Sequence, residues 1–385
     1  MEYFLSEQQQ TIKSLARRIA EERILPVRAE LDEKEEFPWA IIKDLADSDM
    51  FRVSIPEEYE GLGGGCLELC LVMEELSRVC SGVALSYAAT ALGSFSLMEY
   101  GTEEQKQKYL PLIASGQKLA AFALTESTAG SDATNIKTTA IPQDGGYVLN
   151  GTKQYITNGG EAELYTVVAL TNPEKGIRGA SAFLVEKDTA GFSFGKKEKK
   201  MGIRASSTRE LVFRNCLVPK ENMIGREGMG FPMVMRLLDR SRPGVGAQAV
   251  GLAQGALEAA LDYARERIQF GHPIIALQAV QLMLADMATA LEAARLLVYG
   301  VARTIDSGAK SFKEESAMAK VFATDMAMKV TEDAVQIMGG AGYMKDYPVE
   351  KMMRDAKITQ IYEGSNQALR TAIAFELRKR RGRRE

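Results

Sequence analysis

The segment Glu363-Gly364-Ser365-Asn366-Gln367 is well suited to chemistry, because a carboxylate directly precedes a glycine and small polar side chains. A carboxylate becomes an effective proton acceptor where water is excluded, since desolvation raises its pKa towards that of a weakly acidic substrate. The groups that follow could bind a cofactor beside such a base. Considered alone, however, a glutamate at a helix start is more often explained by its interaction with the helix dipole.

Two further motifs favour the catalytic interpretation. One is the glycine turn between two helical patterns, Gln336 to Gly342, and the other is the polar stretch from Thr125 to Asp132. Together with the segment around Glu363, they closely resemble the signatures of the acyl-CoA dehydrogenases. The likeness covers nearly the whole chain in the right order. It implies an α+β multidomain protein with an N-terminal α-helical domain, a middle antiparallel β-barrel and a C-terminal four-helix bundle.

The reaction that this resemblance implies requires two groups that differ in chemistry. Forming a 2-enoyl product from an acyl-CoA thioester needs a base for the α-proton and an acceptor for the β-hydride. No side chain accepts a hydride, so a redox cofactor is required, and the family implies FAD. Glu363 matches the catalytic glutamate of the family. Some members place the base on another helix, but the corresponding residue here is Ser241, which cannot replace a carboxylate.

Cofactor contacts carry over from the family residue by residue. Tyr155 stands where many relatives have tryptophan. Arg267 matches an arginine that reaches the pyrophosphate of the flavin from a neighbouring subunit. Shared sites of this kind imply an oligomer, and the resemblance favours a homotetramer built as a dimer of dimers. The residues that match cofactor contacts are Phe122, Leu124, Thr125, Ser131, Tyr155, Thr157, Arg267, Gln269, Phe270, Gln278, Gln336, Gly339, Gly340, Ser365 and Gln367.

Substrate contacts are predicted in the same way, although a basic pair such as Arg240 and Arg242 could equally be a solvated helix face. The stretch from Gly82 to Gly93 is expected to line the acyl pocket, with Tyr87 limiting its depth. This stretch lacks an arginine, which argues against a substrate with a terminal carboxylate, since burying that charge unpaired would be costly. A short- to medium-chain acyl group, straight, branched or cyclic, is therefore expected. The predicted substrate residues are Ser131, Tyr87, Asp239, Arg240, Ser241, Arg242, Tyr362 and Gly364.

The pattern along the chain predicts three segments that position these residues. Residues 1–118 read as helices, beginning with a capping box formed by Ser6 and Gln9. Residues 119–226 contain short strand-like runs at 164–170, 181–185 and 210–213, separated by turn residues, a pattern that predicts a small antiparallel barrel or sandwich. Residues 227–385 return to long helical patterns, in which a packing seam is predicted at Leu284, Met287, Leu291, Ala294 and Val298.

Composition limits the class of protein. The chain has 385 residues, 46% of them apolar, and a net charge of −3, which gives no reason to expect a nucleic acid partner. No apolar run reaches the roughly 18 residues needed for a membrane span, and the N-terminus does not read as a secretory signal. Four unpaired cysteines and a single histidine make a metal site implausible and favour a reducing, cytoplasmic compartment. The basic cluster at 378–384 is interpreted as a solvated tail.

Three functional hypotheses follow. The first is an FAD-dependent acyl-CoA dehydrogenase that passes electrons to electron-transferring flavoprotein. The second is an acyl-CoA oxidase or nitroalkane-oxidising relative that uses oxygen, although the former are generally longer and the latter have aspartate in place of Glu363. The third is a scaffold that kept the fold without the chemistry, which an intact base and cofactor set disfavour.

Overall fold

The computed structural model describes residues 3–381, except for the side chains of residues 380 and 381. The predicted capping box is confirmed: the Ser6 hydroxyl accepts the Gln9 amide at 3.2 Å, and the Gln9 side chain accepts the Ser6 amide at 3.0 Å. The helices of the first segment are α1 (Glu7–Ile19), α2 (Arg28–Lys34), α3 (Trp39–Asp47), α4 (Cys66–Val79), α5 (Ser81–Tyr100) and α6 (Glu103–Ala114).

An eight-stranded sheet follows, and it contains the three strands predicted from the sequence. Its order is β6-β7-β3-β2-β4-β5-β8, and β1 pairs with β4 outside this path. The strands are β1 (Ala120–Ala123), β2 (Thr139–Gln143), β3 (Gly146–Thr157), β4 (Leu164–Leu170), β5 (Ala180–Glu186), β6 (Phe192–Lys197), β7 (Thr208–Pro219) and β8 (Met223–Ile224).

The prediction of a closed antiparallel barrel is wrong in its details. The end strands β6 and β8 do not pair with each other, so the sheet stays open. It is also mixed rather than antiparallel, because β1 and β2 run parallel to β4. The link between β2 and β4 is a single residue pair, Thr139 with Leu170, which leaves the edge of β4 free to accept β1.

The last segment is helical, as predicted, and its seam residues are all buried. The long helices α7, α8 and α9 pack together, and α10 and α11 pack on α9. The elements are α7 (Gly230–Glu266), a two-stranded ribbon of β9 (Ile268–Gln269) and β10 (His272–Pro273), α8 (Gln278–Asp306), α9 (Lys313–Met338), α10 (Val349–Thr359) and α11 (Asn366–Arg381). The predicted tail at 378–384 begins inside α11, and residues 382–384 lie outside the described part.

The two helical segments share one core rather than packing as separate bodies. Helix α7 approaches α4 so closely that a Cβ at Gly251 would lie 2.0 Å from the Glu74 carbonyl oxygen, which is why glycine is required there. We propose domain boundaries at 118/119 and 226/227, in the connections that flank the sheet. Within residues 3–381, no helix has the length and apolarity that crossing a bilayer demands.

Candidate active site

A cavity of about 540 Å³ opens where α5, α7 and the sheet meet the segment between α10 and α11. It collects many of the residues that the sequence analysis assigned to the site. Those that line it are Phe122, Leu124, Thr125, Ser131, Tyr155, Thr157, Asp239, Ser241, Arg242, Tyr362, Glu363 and Gly364. Residues separated by more than 200 positions in the chain therefore line the same cavity.

Glu363 lies on the segment that joins α10 to α11 and has an unusual backbone conformation. Its φ is +52°, in the left-handed region that non-glycine residues seldom adopt, and Gly364 follows with a φ of +98°. Burial raises the pKa of its carboxyl group above the ordinary value, against the opposing effects of the Ser241 hydrogen bond and of Arg242. Backbone strain and a raised carboxyl pKa in a cavity are both features of functional sites.

Helix α7 supplies the groups that contact Glu363. The Ser241 hydroxyl donates to Glu363 Oε2 at 2.5 Å, and Arg242 Nε donates to the Glu363 backbone oxygen at 3.2 Å. Arg242 Nη1 also donates to Asp239 Oδ1 at 2.5 Å. This arrangement neutralises Arg242 and Asp239 against each other and leaves the Glu363 carboxylate bound through a hydroxyl.

Pro243 lies inside α7 and removes one of its backbone hydrogen bonds. A proline inside a helix has no amide hydrogen for the carbonyl four residues earlier, here that of Asp239. The Ser316 hydroxyl of α9 donates to this freed carbonyl oxygen instead. Thus α9 holds the turn of α7 that presents Asp239, Ser241 and Arg242 to the cavity.

The sheet side of the cavity is shaped by a bulge in β3. The pairing of β3 with β7 shifts register between Lys153 and Ile156, and Tyr155 has a φ of +57°. Its side chain is 61% exposed and faces the cavity. Lys153 points the other way, where its buried ammonium donates to the Leu124 carbonyl at 2.9 Å and to Glu126 at 2.6 Å.

The expectation that Tyr87 lines the acyl pocket is wrong. Its side chain is 1% exposed, and its hydroxyl donates to the Met50 carbonyl at 3.0 Å, away from the cavity. The residues of α5 that line the cavity are Leu85, Ala88, Ala89, Leu92 and Phe95. The first four follow the spacing of a single helix face, and at about 100° per residue Tyr87 falls on a different face.

Arg240 is likewise placed outside the cavity. It forms an ion pair with Glu99 of α5 at 2.8 Å. Asp239 and Arg242, three residues apart, share a helix face, and Arg240 is turned away from it. Asp239 and Arg242 therefore line the cavity and Arg240 does not, and a substrate contact of the first two stays a prediction.

The other predicted cofactor residues lie outside this cavity. Arg267 borders a separate hollow of about 410 Å³ together with Met338, which immediately precedes the Gly339-Gly340 turn. Ser365 caps α11, its hydroxyl accepting the Ala368 amide at 3.3 Å. The members of this set that are exposed are Arg267, Gln269, Phe270, Gln278, Gln336, Gly339, Gly340 and Gln367. Their assignment to a cofactor stays a prediction.

Comparison of the chain with known proteins shows which family has this arrangement. Models of the acyl-CoA dehydrogenase N-terminal, middle and C-terminal domains match residues 6–117, 121–216 and 228–377. The chain belongs to the acyl-CoA dehydrogenase family, whose members are FAD-binding oxidoreductases.

Individual relatives are similar over nearly their whole length. A short-chain specific acyl-CoA dehydrogenase from Clostridium acetobutylicum is 47% identical over 379 residues, which cover 98% of this chain and all of the relative. The structure of butyryl-CoA dehydrogenase from Megasphaera elsdenii is 44% identical with a TM-score of 0.95, covering 98% of this chain and 100% of the other. A chain in a structure titled as the electron transferring flavoprotein of Acidaminococcus fermentans is 48% identical with a TM-score of 0.96, covering 98% and 99%.

Proposed function

We propose that this chain dehydrogenates a short-chain acyl-CoA to the 2-enoyl-CoA, with Glu363 as the base that removes the α-proton. In this reaction the α C–H bond breaks and leaves its electron pair to the new double bond, while the β-carbon loses a hydride. FAD, when bound, supplies the acceptor for that hydride. The observation that carries the proposal is the half-buried carboxylate of Glu363, held by a strained backbone in a cavity bordered by both α7 and the sheet.

The choice of base rests on comparing the carboxylates that line the cavity. Asp132 is exposed to water and accepts a hydrogen bond from Thr134. Asp239 is committed to Arg242 at 2.5 Å. Among the carboxylates that line the cavity, Glu363 is the one whose pKa is raised by desolvation and that forms no ion pair with the described residues.

The sheet side of the cavity fits a flavin ring. The bulge at Tyr155 exposes an aromatic face there, and Thr125 and Thr157 add hydroxyl groups beside the ends of β1 and β3. Aromatic faces and hydrogen-bonding strand ends are suited to a flat heterocycle with polar edges. We assign Phe122, Leu124, Thr125, Tyr155 and Thr157 to this role, which leaves the α5 side for the acyl group.

A short acyl group fits the remaining space. The cavity of about 540 Å³ has to hold the flavin ring and the thioester as well, and α5 lines it with Leu85, Ala88, Ala89 and Leu92. Tyr362 donates to the Gln248 side chain across the lining, which puts a bulky polar pair at the apolar wall. The names of the relatives from Clostridium and Megasphaera support the same chain length.

A dicarboxylic substrate is disfavoured by the pairing of the cations that line the cavity. Arg242 is bound to Asp239, and Lys313 is bound to Glu376 at 3.1 Å. A terminal carboxylate would have to compete with Asp239 or Glu376 for one of these cations.

We further propose that electrons leave through electron-transferring flavoprotein and that the protein is a homotetramer with cofactor sites shared between subunits. The similarity to a chain from the Acidaminococcus flavoprotein structure supports the first proposal, and the exposed set around Arg267 supports the second. A cytoplasmic location is supported by four cysteines that are buried and unpaired.

The test of substrate class is kcat/KM across butyryl-, hexanoyl-, octanoyl-, glutaryl- and palmitoyl-CoA, with reduction of the bound flavin followed anaerobically. The expected optimum is butyryl- or hexanoyl-CoA. An optimum at glutaryl- or palmitoyl-CoA would contradict the assignment of the acyl pocket.

A further inference from the structure

Three polar side chains on one face of α9 contact the segments that carry the site. Ser316, Lys320 and Thr324 recur every four residues, and each is completely buried. Ser316 donates to the Asp239 carbonyl freed by Pro243. Lys320 and Thr324 contact the segment that follows Glu363, so this face of α9 joins α7 to that segment.

Lys320 makes the central contacts of this face. Its ammonium donates to the Gly364 carbonyl oxygen and to Asn366 Oδ1, each at 2.8 Å. The side-chain amide of Asn366 in turn donates to Thr324 Oγ1 at 2.9 Å and to Asp325 Oδ1 at 2.7 Å. Its backbone amide donates to the Gln360 carbonyl at 3.0 Å. These bonds close the turn that runs from the end of α10 to the start of α11.

The chemistry of Lys320 is unusual for a residue that only fills a core. It forms no ion pair with a carboxylate among the described residues, and both of its acceptors are neutral amide oxygens. Burying a cation in this way is costly, and an apolar side chain of similar size would pack at less cost. Burial lowers its pKa to about 7, opposed by the Glu363 charge and supported by that of Arg242.

We propose that Lys320 is a positioning residue for Glu363: by holding the Gly364 carbonyl and the Asn366 side chain, it fixes the left-handed turn that aims the carboxylate into the cavity. This inference rests on the proposed role of Glu363 as the base. The strain at Glu363 supports it, because a non-glycine residue keeps a φ of +52° only where its surroundings impose it. Arg242 binds the carbonyl oxygen of Glu363 and Lys320 binds that of Gly364, so the two peptide groups that follow Glu363 are both held.

The charge of Lys320 also acts on the base. The charged groups around the Lys320 ammonium are Glu363, Arg242 and Asp325, and Asp325 is in turn bound by Arg370 of α11. The Lys320 charge lowers the pKa of the Glu363 carboxyl group. Removing that charge should therefore raise the pKa of the base, an effect that a packing role alone would not produce.

The test compares Lys320→Met, which removes both donors and charge, with Lys320→Gln, which keeps a donor without the charge. In the flavin-loaded enzyme, Lys320→Met should lower kcat by about 100-fold with little change in KM, as expected for a misplaced catalytic group. The low-pH limb of the kcat profile should move to higher pH in both variants, and Lys320→Gln should recover part of kcat. Lys357→Met, at an exposed residue of α10, is the control and should match the wild type.

Unchanged kcat and an unchanged pH profile in flavin-loaded Lys320→Met would overturn the inference. A lower kcat in Lys320→Met would also overturn it if the pH profile does not shift and Lys320→Gln recovers no activity. If the Lys320→Met protein purifies without bound flavin, the variant Asn366→Ala is tested instead. It removes one of the two oxygen atoms that Lys320 binds and keeps the lysine. A wild-type kcat in that variant would contradict the proposal. If the Glu363→Gln variant still reduces its flavin, the assignment of Glu363 as the base is refuted. If Glu363→Gln is inactive but Lys320→Met is unaffected, only the positioning role of Lys320 is refuted.

Discussion

Ser241 Oγ donates a hydrogen bond to Glu363 Oε2 across 2.5 Å, between residues 122 positions apart in the chain. The resemblance analysed from the sequence predicts that the position of Ser241 is the alternative place for the base, and its side chain contacts Glu363 here. The hydroxyl cannot remove a proton itself, but it stabilises the ionised form of Glu363. This contact gives the first of five predictions.

Ser241→Ala should raise the pKa of Glu363, because the hydrogen bond from Ser241 lowers that pKa. The base is active when ionised, so the variant should lose activity at a higher pH than the wild type as the pH falls. The low-pH limb of log kcat against pH measures this shift. Ser193→Ala, on the exposed part of β6, is the control, and a limb displaced to lower pH in Ser241→Ala would refute the assignment.

Ala89→Leu should narrow the acyl pocket, since Ala89 lies on the face of α5 that borders the cavity. The loss of kcat/KM should be greater for hexanoyl-CoA than for butyryl-CoA, with a difference of about 1–3 kcal/mol, the usual cost of a methylene group in an apolar pocket. Tyr87→Phe is the matched variant on another face of the same helix. It should lower the free energy of unfolding by about 1 kcal/mol, from the lost hydrogen bond to Met50, without altering chain preference.

A change of chain preference in Tyr87→Phe with none in Ala89→Leu would restore the original expectation from the sequence and contradict the orientation of α5.

Lys153→Met should destabilise the folded protein by about 3–5 kcal/mol, because it leaves the Glu126 carboxylate buried without its partner. Urea unfolding of the flavin-loaded protein measures the effect. The double variant Lys153→Met/Glu126→Gln should recover much of the loss, since the uncompensated charge is gone. Equal losses in the single and double variants would show that Lys153 acts through the Leu124 carbonyl alone.

Arg267→Ala should weaken FAD binding if this arginine completes the site of a neighbouring subunit. Arg265→Ala, two residues earlier and paired with Asp262 on the surface, is the control and should bind FAD normally. Flavin content after gel filtration, combined with sedimentation, tests the shared site. A stable monomer that retains all of its flavin would contradict both the shared site and the tetramer.

The family and the order of a helical, a sheet and a second helical domain were predicted correctly from motifs spread along the chain. The other correct predictions were local. The capping box of Ser6 and Gln9 depends on groups three residues apart, and the seam from Leu284 to Val298 depends on helical repeat, so both are readable without the fold. The motif around Glu363 singled this residue out, and it lines the cavity, while its role as the base is a proposal. These features do not require knowledge of which elements meet.

What the sequence could not give depends on contacts between distant elements. Helix α5 is buried on nearly every side, so its apolar residues show no single face and the orientation of Tyr87 was not readable. Closure of the sheet depends on whether β6 reaches β8, which strand patterns do not encode. The role of Lys320 was missed because a lysine on a helix is usually solvated, and nothing local distinguishes it from Lys329, which is exposed.

Replacing Glu363 by glutamine tests the central claim most directly, because the amide keeps the shape of the carboxylate and removes its basicity. The measurement is the rate at which butyryl-CoA reduces the bound flavin in a single anaerobic turnover. Glu174→Gln, at an exposed loop residue, is the control. We predict that Glu363→Gln keeps its flavin and binds butyryl-CoA but loses reduction by several orders of magnitude. Near-normal reduction of the flavin in this variant would contradict the account.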